Sequence, residues 1–327
     1  MGFSDILSVI ASDLEEVELE LESSIQSPVP LVYDIAKYLL GSGGKRLRPS
    51  VLLLISGACG NLEGKGRIYS AAALELIHTA TLLHDDVVDE AKLRRGKTAS
   101  NVVWGNKATV LVGDFMLARA LGLIQSCGNL ELIKAVTDAA AKLAEGQVLE
   151  VMSAQSMVEV SEEICFGIIE NKTASLIESC GTVGAILAGA EDTLKRSVGQ
   201  YGLNIGIAFQ LIDDALDYSS TEKEFGKGVG QDLVERKMTL PLYYSLKEAS
   251  PPEKTRVNDI LVREEGFEDG ELLFIRDIVE RYKGVEKTKV IAKGYIHKAR
   301  ESLSPVPENI YKTSLSQLAD FVAERRN

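Results

Sequence analysis

Residues 78–96 read His-Thr-Ala-Thr-Leu-Leu-His-Asp-Asp-Val-Val-Asp-Glu-Ala-Lys-Leu-Arg-Arg-Gly, an apolar helical run that ends in three carboxylates, Asp85, Asp86 and Asp89. The i to i+4 spacing puts Asp85 and Asp89 on one helix face about one turn apart and rotates Asp86 by roughly 100°. Such like charges repel, and a helix C-terminus disfavours them further, so the pattern calls for a cation. Oxygen-only donors suit a hard ion such as Mg²⁺. Beyond the acids the sign reverses. Arg94 and Arg95, followed by Gly96, offer forked donors to phosphate oxygens on a loop able to bend towards the carboxylates.

A second copy of the acidic spacing lies in Phe209-Gln210-Leu211-Ile212-Asp213-Asp214-Ala215-Leu216-Asp217-Tyr218. One D-D-x-x-D cluster is ordinarily a solvated face. Two of them, each after an apolar helical run (Leu74 to Leu83, Ile205 to Ile212), require a polar cavity, because unpaired aspartate is poorly tolerated on such a helix.

Outward from these motifs, apolar positions recur every three to four residues from Val51 almost to the end, with breaks near Gly60, Gly96, Gly128, Gly181, Gly226, Pro251, Gly266, Gly284 and Pro305. The periodicity predicts about ten to thirteen helices. Only Asn101–Trp104 leaves a strand as an alternative. The expected fold is therefore all-α: a single large helical bundle over residues 1–327, with a central cavity. Ile6, Leu7, Ile10, Leu14, Val17, Leu21 and Ile25 outline an amphipathic N-terminal helix that Pro28 and Pro30 end, and a shorter helix follows to Leu40.

Gly41-Ser42-Gly43-Gly44-Lys45-Arg46-Leu47-Arg48-Pro49 joins glycines that let a ligand approach the backbone to three cations beside a helix start. It reads as a phosphate site or as a basic surface turn. A P-loop is excluded, since Leu39 and Arg46 stand where that motif needs Gly and Ser or Thr. Residues 226–241 follow the second acidic cluster with three glycines, Lys227 and Lys237, again placing basic residues after acids. Asp114 is either a partner for a basic group or surface, and His297 is a surface or core-edge residue.

The chain carries 48 acidic and 36 basic residues, a formal charge of −12 that argues against non-specific nucleic-acid binding. Cys59, Cys127, Cys165 and Cys180 form no C-x-x-C pair and no signal-peptide pattern opens the chain, so a reduced, cytoplasmic setting is expected. No apolar run is expected to approach the roughly 20 residues that cross a bilayer, hence no stable membrane insertion.

Both D-D-x-x-D motifs, Gly43-Gly44-Lys45-Arg46-Leu47-Arg48-Pro49, Arg94-Arg95-Gly96, Lys172-Thr173, Phe209-Gln210 and Gly226-Lys227 together resemble the trans-type isoprenyl diphosphate synthases, over roughly residues 35 to 245. Residues 78–89 are most similar to the long-chain, octaprenyl type. The resemblance implies a Mg²⁺-dependent prenyltransferase that condenses an allylic diphosphate with isopentenyl diphosphate, and a homodimer. It implies Asp85, Asp89 and Asp213 as metal ligands, supported by Asp86, Asp214 and Asp217. Arg94, Lys172, Lys227 and Lys237 would hold the allylic diphosphate, and Lys45, Arg48, His78 and Arg95 isopentenyl diphosphate. Thr173 and Gln210 would turn oxygens towards the allylic cation. For His78 an ordinary core histidine is the competing reading. Arg236 departs from the pattern, because relatives usually carry glycine there.

Ala80 and Thr81 stand five and four residues before Asp85, where short-chain members usually have an aromatic. With one helical turn of about 5.4 Å per isoprene unit, small residues predict a product of about six to eight units. Leu74, Ile77, Leu117, Leu121 and Ile124 are candidates for the pocket floor or plain core. Three other classes fit the residues less well. A di-iron bundle needs a second E-x-x-H besides Glu75–His78, and His84 and His297 do not supply one. A terpene cyclase would not need Lys45, Arg48 and Arg95. A non-catalytic partner subunit would be expected to have lost one acidic motif. A short-chain synthase remains the alternative for product.

Overall fold

The computed structural model of the protein describes residues 2–155, 160–219, 230–263 and 266–325. Helices dominate it: α1 (Ala11–Ser24), α2 (Pro30–Leu40), α3 (Leu47–Ala58), α4 (Lys65–Val88), α5 (Asn106–Ser126), α6 (Leu130–Gln155) and α7 (Glu162–Ile168). A π-helical turn, Ile169–Ala174, leads into α8 (Ser175–Leu187), followed by α9 (Asp192–Asp217), α10 (Leu240–Glu248), α11 (Pro251–Val262), α12 (Glu271–Arg281), α13 (Gly284–Ser302) and α14 (Ile310–Ala323). The all-α expectation holds. Asn101–Trp104 is no strand but part of a helical turn, Ser100–Trp104. The extended structure among the described residues is a hairpin at the basic motif: β1 (Leu93–Arg94) pairs antiparallel with β2 (Lys97–Thr98), Leu93 opposite Thr98. Its turn residues Arg95 and Gly96 both have positive φ, 51° and 75°, the twist that a two-residue hairpin turn requires.

Local chemistry sets several helix starts. Pro30 opens α2 with a φ already suited to a helix. Ser250 and Glu253 form a reciprocal capping box at α11, with Glu253 Oε2 accepting from the Ser250 backbone N–H at 2.9 Å.

Two compact units divide the chain. The first comprises Met1–Ala140, Leu176–Gly202 and Leu303–Leu318, and the second Ala141–Ser175, Leu203–Ser302 and Ala319–Asn327. In the first, Leu52, Leu53, Leu54 and Ile55 of α3 and Leu74, Leu76 and Ile77 of α4 are fully buried. In the second, Ile275, Ile278 and Val279 of α12 join Leu240, Leu242, Val257 and Ile260 in an apolar core.

Gly181, expected as a break, lies inside α8 instead. It serves close approach: a Cβ there would run into the Val198 carbonyl oxygen, and one at Gly202 into that of Ile177. Both obstacles are backbone, which cannot swing aside. Gly181→Ala is therefore expected to destabilise the fold by about 2–3 kcal/mol, read as a lower urea midpoint with an unchanged slope.

α5 departs from the sequence reading. Its 21 residues are long and apolar enough to cross a membrane by length and composition, and only 33% of that window is buried. Leu111 and Leu121 of α5, together with the neighbouring Val102 and Val103, leave an exposed apolar face.

Candidate active site

In the first unit, α4 carries Asp85 and Asp86 in its last turn and Asp89 as its C-cap. Asp86 is fully buried. Its Oδ1 accepts a hydrogen bond from Arg94 Nε at 2.7 Å, whereas Oδ2 is buried with no hydrogen-bond partner. The hairpin thus exists to bring Arg94 back onto the acidic motif. His84, next to Asp85, packs its ring on α5: Nε2 lies 3.3 Å from the Val110 carbonyl oxygen and 3.3 Å from Asp114 Oδ1. Gly113 makes this seat, since a Cβ there would overlap the imidazole. Asp114 is thereby a partner of a ring nitrogen, and its side chain is largely exposed.

The basic residues collect on the same unit. Arg48, from the first turn of α3, has its Nε buried without a hydrogen-bond partner. Burial depresses its basicity, the Glu75 carboxylate opposes that, and Arg95 adds repulsion. His78 is held well below the usual imidazole range by burial and then by the charges of Arg48, Arg95, Arg94 and Arg46, so it is neutral at physiological pH. Arg95 donates from Nη1 to the Gly43 carbonyl, tying the hairpin to the glycine loop. A Cβ at Gly44 would sit 3.2 Å from Arg95 Nη1. Of the set expected to hold a second diphosphate, Arg48, His78 and Arg95 therefore share one electrostatic neighbourhood. Lys45 is exposed on the adjoining loop.

In the second unit, α9 ends in the second acidic motif. Asp214 is buried and accepts from Gln210 Nε2 at 2.8 Å, and Gln210 Oε1 accepts from the Thr173 hydroxyl at 2.9 Å. Lys172 lies on the π-helical turn, an irregularity frequent at functional sites, and pairs with Glu150 Oε2 at 2.5 Å. Lys237 pairs with Glu235 at 2.6 Å and stands 3.6 Å from the same Glu150 oxygen. These groups line one cleft, with Lys172, Thr173, Gln210, Asp214 and Lys237 polar and Ile169 among its apolar walls. Asp217 plays a different part. Its carboxylate accepts the backbone N–H groups of Gly230, Gln231 and Asp232, at 2.9, 3.2 and 3.0 Å, and so fixes the chain after the motif. Lys227 lies outside the described residues.

Arg236 explains its own departure from the glycine pattern. Its φ is +59°, the left-handed region where glycine is at ease. The side chain compensates: Nη1 donates to the Leu261 carbonyl at 2.8 Å, and the guanidinium lies over the Phe267 ring.

Three participants escaped the sequence reading. Glu150 is one acid among several on α6, and nothing local marks it as the partner of two lysines. Asp232, within the glycine-rich segment, is held well above the carboxylate range by burial and by the charges of Asp214 and Asp217. Arg325, near the C-terminus, places Nη1 2.6 Å from Asp213 Oδ1 with its guanidinium over the Phe209 ring. No spacing signal links residues so far apart in sequence.

The donors are carboxylate oxygens, the kind a hard divalent ion takes, and among the described residues no three of them are grouped around one point. Burial, then the charges of Asp213, Glu150 and Asp217, raise the Asp214 carboxyl to about 7 against the opposing Gln210 hydrogen bond. Burial likewise raises Asp217. An arginine already rests on Asp213, and Asp86 keeps one oxygen unpartnered. Acids so placed are short of positive charge, which oxygen-seeking cations supply. A consequence can be measured. A folded-state pKa above the unfolded value means that the folded chain holds the extra proton between about pH 4 and 7, so stability falls as pH rises through that window. The metal-free protein is expected to melt higher at about pH 6 than at about pH 8, and Asp214→Asn to flatten that difference. An unchanged slope in the variant would reject the assignment.

An all-helical chain with aspartates closing two apolar helices has the isoprenoid synthase fold. The family model described as Polyprenyl synthetase matches residues 29–273, and the chain belongs to that family. It is 35% identical to octaprenyl diphosphate synthase of Haemophilus influenzae over 99% of this chain and 98% of that protein. It is also 35% identical to a short chain isoprenyl diphosphate synthase of Methanothermobacter thermautotrophicus, covering 99% of each. Among solved structures, a polyprenyl synthase from Caulobacter crescentus complexed with calcium and isoprenyl diphosphate superposes with a TM-score of 0.94 at 35% identity, covering 100% of this chain and 98% of that one.

Proposed function

We propose that the protein condenses an allylic diphosphate with successive isopentenyl diphosphates to give an all-trans polyprenyl diphosphate of about six to eight units. The observation that carries this reading is the split of charge within one unit. Arg48, with a buried Nε lacking a partner, lies beside a neutral His78 and Arg95, a seat for an anion bound directly. The acids of the first D-D-x-x-D motif, on the same unit, need a cation first.

By motif resemblance Asp85, Asp89 and Asp213 would hold Mg²⁺, whose charge would offset that of the allylic diphosphate and favour its departure. By the same resemblance Arg94, Lys172, Lys227 and Lys237 would hold the same group. Glu150 keeps Lys172 and Lys237 together until substrate arrives. Thr173 donates its hydroxyl hydrogen bond to Gln210 Oε1, which leaves the hydroxyl lone pairs for the cation that forms at the allylic carbon. The double bond of isopentenyl diphosphate attacks that carbon, and the proton then lost passes to the departed diphosphate.

Ala80 and Thr81 leave room for a long chain. In this reading the molecule works in the cytoplasm, in keeping with its four free thiols, as a homodimer whose contact includes the exposed apolar face of α5. Leu111→Glu is expected to yield monomers in sedimentation. The decisive assay incubates the purified chain with Mg²⁺, farnesyl diphosphate and labelled isopentenyl diphosphate and sizes the dephosphorylated products. Six or more units support the whole reading. A stop at three or four units removes the length assignment alone, and no incorporation with any allylic primer favours a partner subunit.

A further inference from the structure

The loop Gly43–Arg48 offers three consecutive-looking cations, yet the structure uses them in opposite ways. Arg46 adopts φ +48°, a left-handed conformation costing roughly 1–2 kcal/mol in a residue other than glycine. That turn sends its side chain away from solvent. Nε and Nη2 meet the two carboxylate oxygens of Glu18 at 2.5 and 3.1 Å, and Nη1 donates to Glu75 Oε1 at 3.1 Å. Nη2 also reaches the Leu40 carbonyl at 3.3 Å. The Arg46 carbonyl accepts from the Ser50 backbone N–H and hydroxyl, so the same residue starts α3. Arg46 is thus no anion ligand. It is a pin joining α1, through Glu18, and α4, through Glu75, to the loop that carries Lys45 and Arg48.

Glu75 has a second part. Its side chain is 5% exposed, and Oε2 is buried with no hydrogen-bond partner. Three guanidinium groups feel its charge: Arg46, Arg48 and Arg95. A lone carboxylate there limits the repulsion among the arginines, and one forked arginine holds it in place. An arginine cluster without such a counter-charge would splay towards water before a diphosphate arrived.

We propose that Glu18, Arg46 and Glu75 are positioning residues for the direct diphosphate site: the doubly bridged Arg46 fixes the Gly43–Arg48 loop so that Lys45 and Arg48 present their charges to isopentenyl diphosphate. This rests on the assignment of that site to isopentenyl diphosphate. Glu18 lies on an N-terminal helix outside every motif of the family resemblance, and its side chain is half exposed, so its removal tests geometry with little cost to folding.

The test measures steady-state kinetics of the full-length enzyme with each substrate varied in turn. Glu18→Ala is expected to raise the KM for isopentenyl diphosphate about tenfold, with the KM for the allylic diphosphate and kcat changed less than about twofold. Glu18→Asp, which keeps a carboxylate facing Arg46, should recover much of that loss relative to Glu18→Ala, whereas Glu18→Gln, which keeps the shape without the charge, should recover less. Isothermal titration of isopentenyl diphosphate checks that the effect is on binding. Arg48→Ala is the reference for the site itself. If Arg48→Ala raises the isopentenyl diphosphate KM and Glu18→Ala does not, the positioning role is overturned and the site stands. If Arg48→Ala leaves that KM unchanged, the site assignment fails and the positioning role with it. An equal fall in every kinetic constant for Glu18→Ala, with a lowered melting temperature, would mean a structural role only and would also overturn the proposal.

Discussion

Asp85→Ala and Asp213→Ala enzymes are expected to lose on the order of 10³-fold in kcat/KM, because in the proposed reading each would take away a ligand of the cation that offsets the charge of the leaving diphosphate. Metal stabilisation of such charge is worth several kcal/mol, and about 1.4 kcal/mol is a factor of ten. The expectation differs for the neighbouring acids. Asp86 is buried on Arg94, so Asp86→Ala acts by releasing that arginine and by opening a polar void, and its loss should appear in stability as well as in turnover. Asp217 caps the segment after its motif with three backbone hydrogen bonds, so Asp217→Ala should disorder residues 230–232 before it touches chemistry. Asp138→Ala is the control: that acid pairs with Lys134 on an exposed face of α6 and should leave kcat/KM unchanged. Equal losses in the control and in Asp85→Ala, or none in either, would sink the metal-ligand reading.

The second large effect is on product rather than rate. Ala80→Phe is expected to shorten the product from about six to eight units to about three or four, with incorporation of isopentenyl diphosphate retained. Ala80 is 2% exposed on α4, five residues before Asp85, and the residue after it, Thr81, bends its hydroxyl back onto the His78 carbonyl at 2.8 Å. A phenyl ring at that depth blocks the path one turn beyond the acids. Overpacking costs about 1–3 kcal/mol, so a melting curve accompanies the product analysis. Thr81→Phe, at a half-buried position, is the second variant. Product of unchanged length from both would show that the chain grows along another path. The octaprenyl and short-chain relatives are equally identical to this chain, so overall identity does not choose between lengths, and the Ala80→Phe product is the measurement that does.

The sequence by itself determined the helical class, because apolar residues at three- and four-residue intervals can bury themselves only as helices, and helix interiors are local. It also determined the placing of the two aspartate motifs at helix ends, since acids at i and i+4 after an apolar run share a face whatever packs around them. Where a side chain ends up was beyond it. Lys45, Arg46 and Arg48 look alike in a row, and one left-handed dihedral at Arg46 turns that residue inward onto Glu18 and Glu75. Glycine 181 reads as a break and is a place where two backbones meet. Glu150 and Arg325 become partners of Lys172, Lys237 and Asp213 across separations that no periodicity spans. The physical reason is the same in each case: helix formation is decided by neighbours along the chain, while the partner of a charge is decided by which distant surface the packed fold brings within about 3 Å of it.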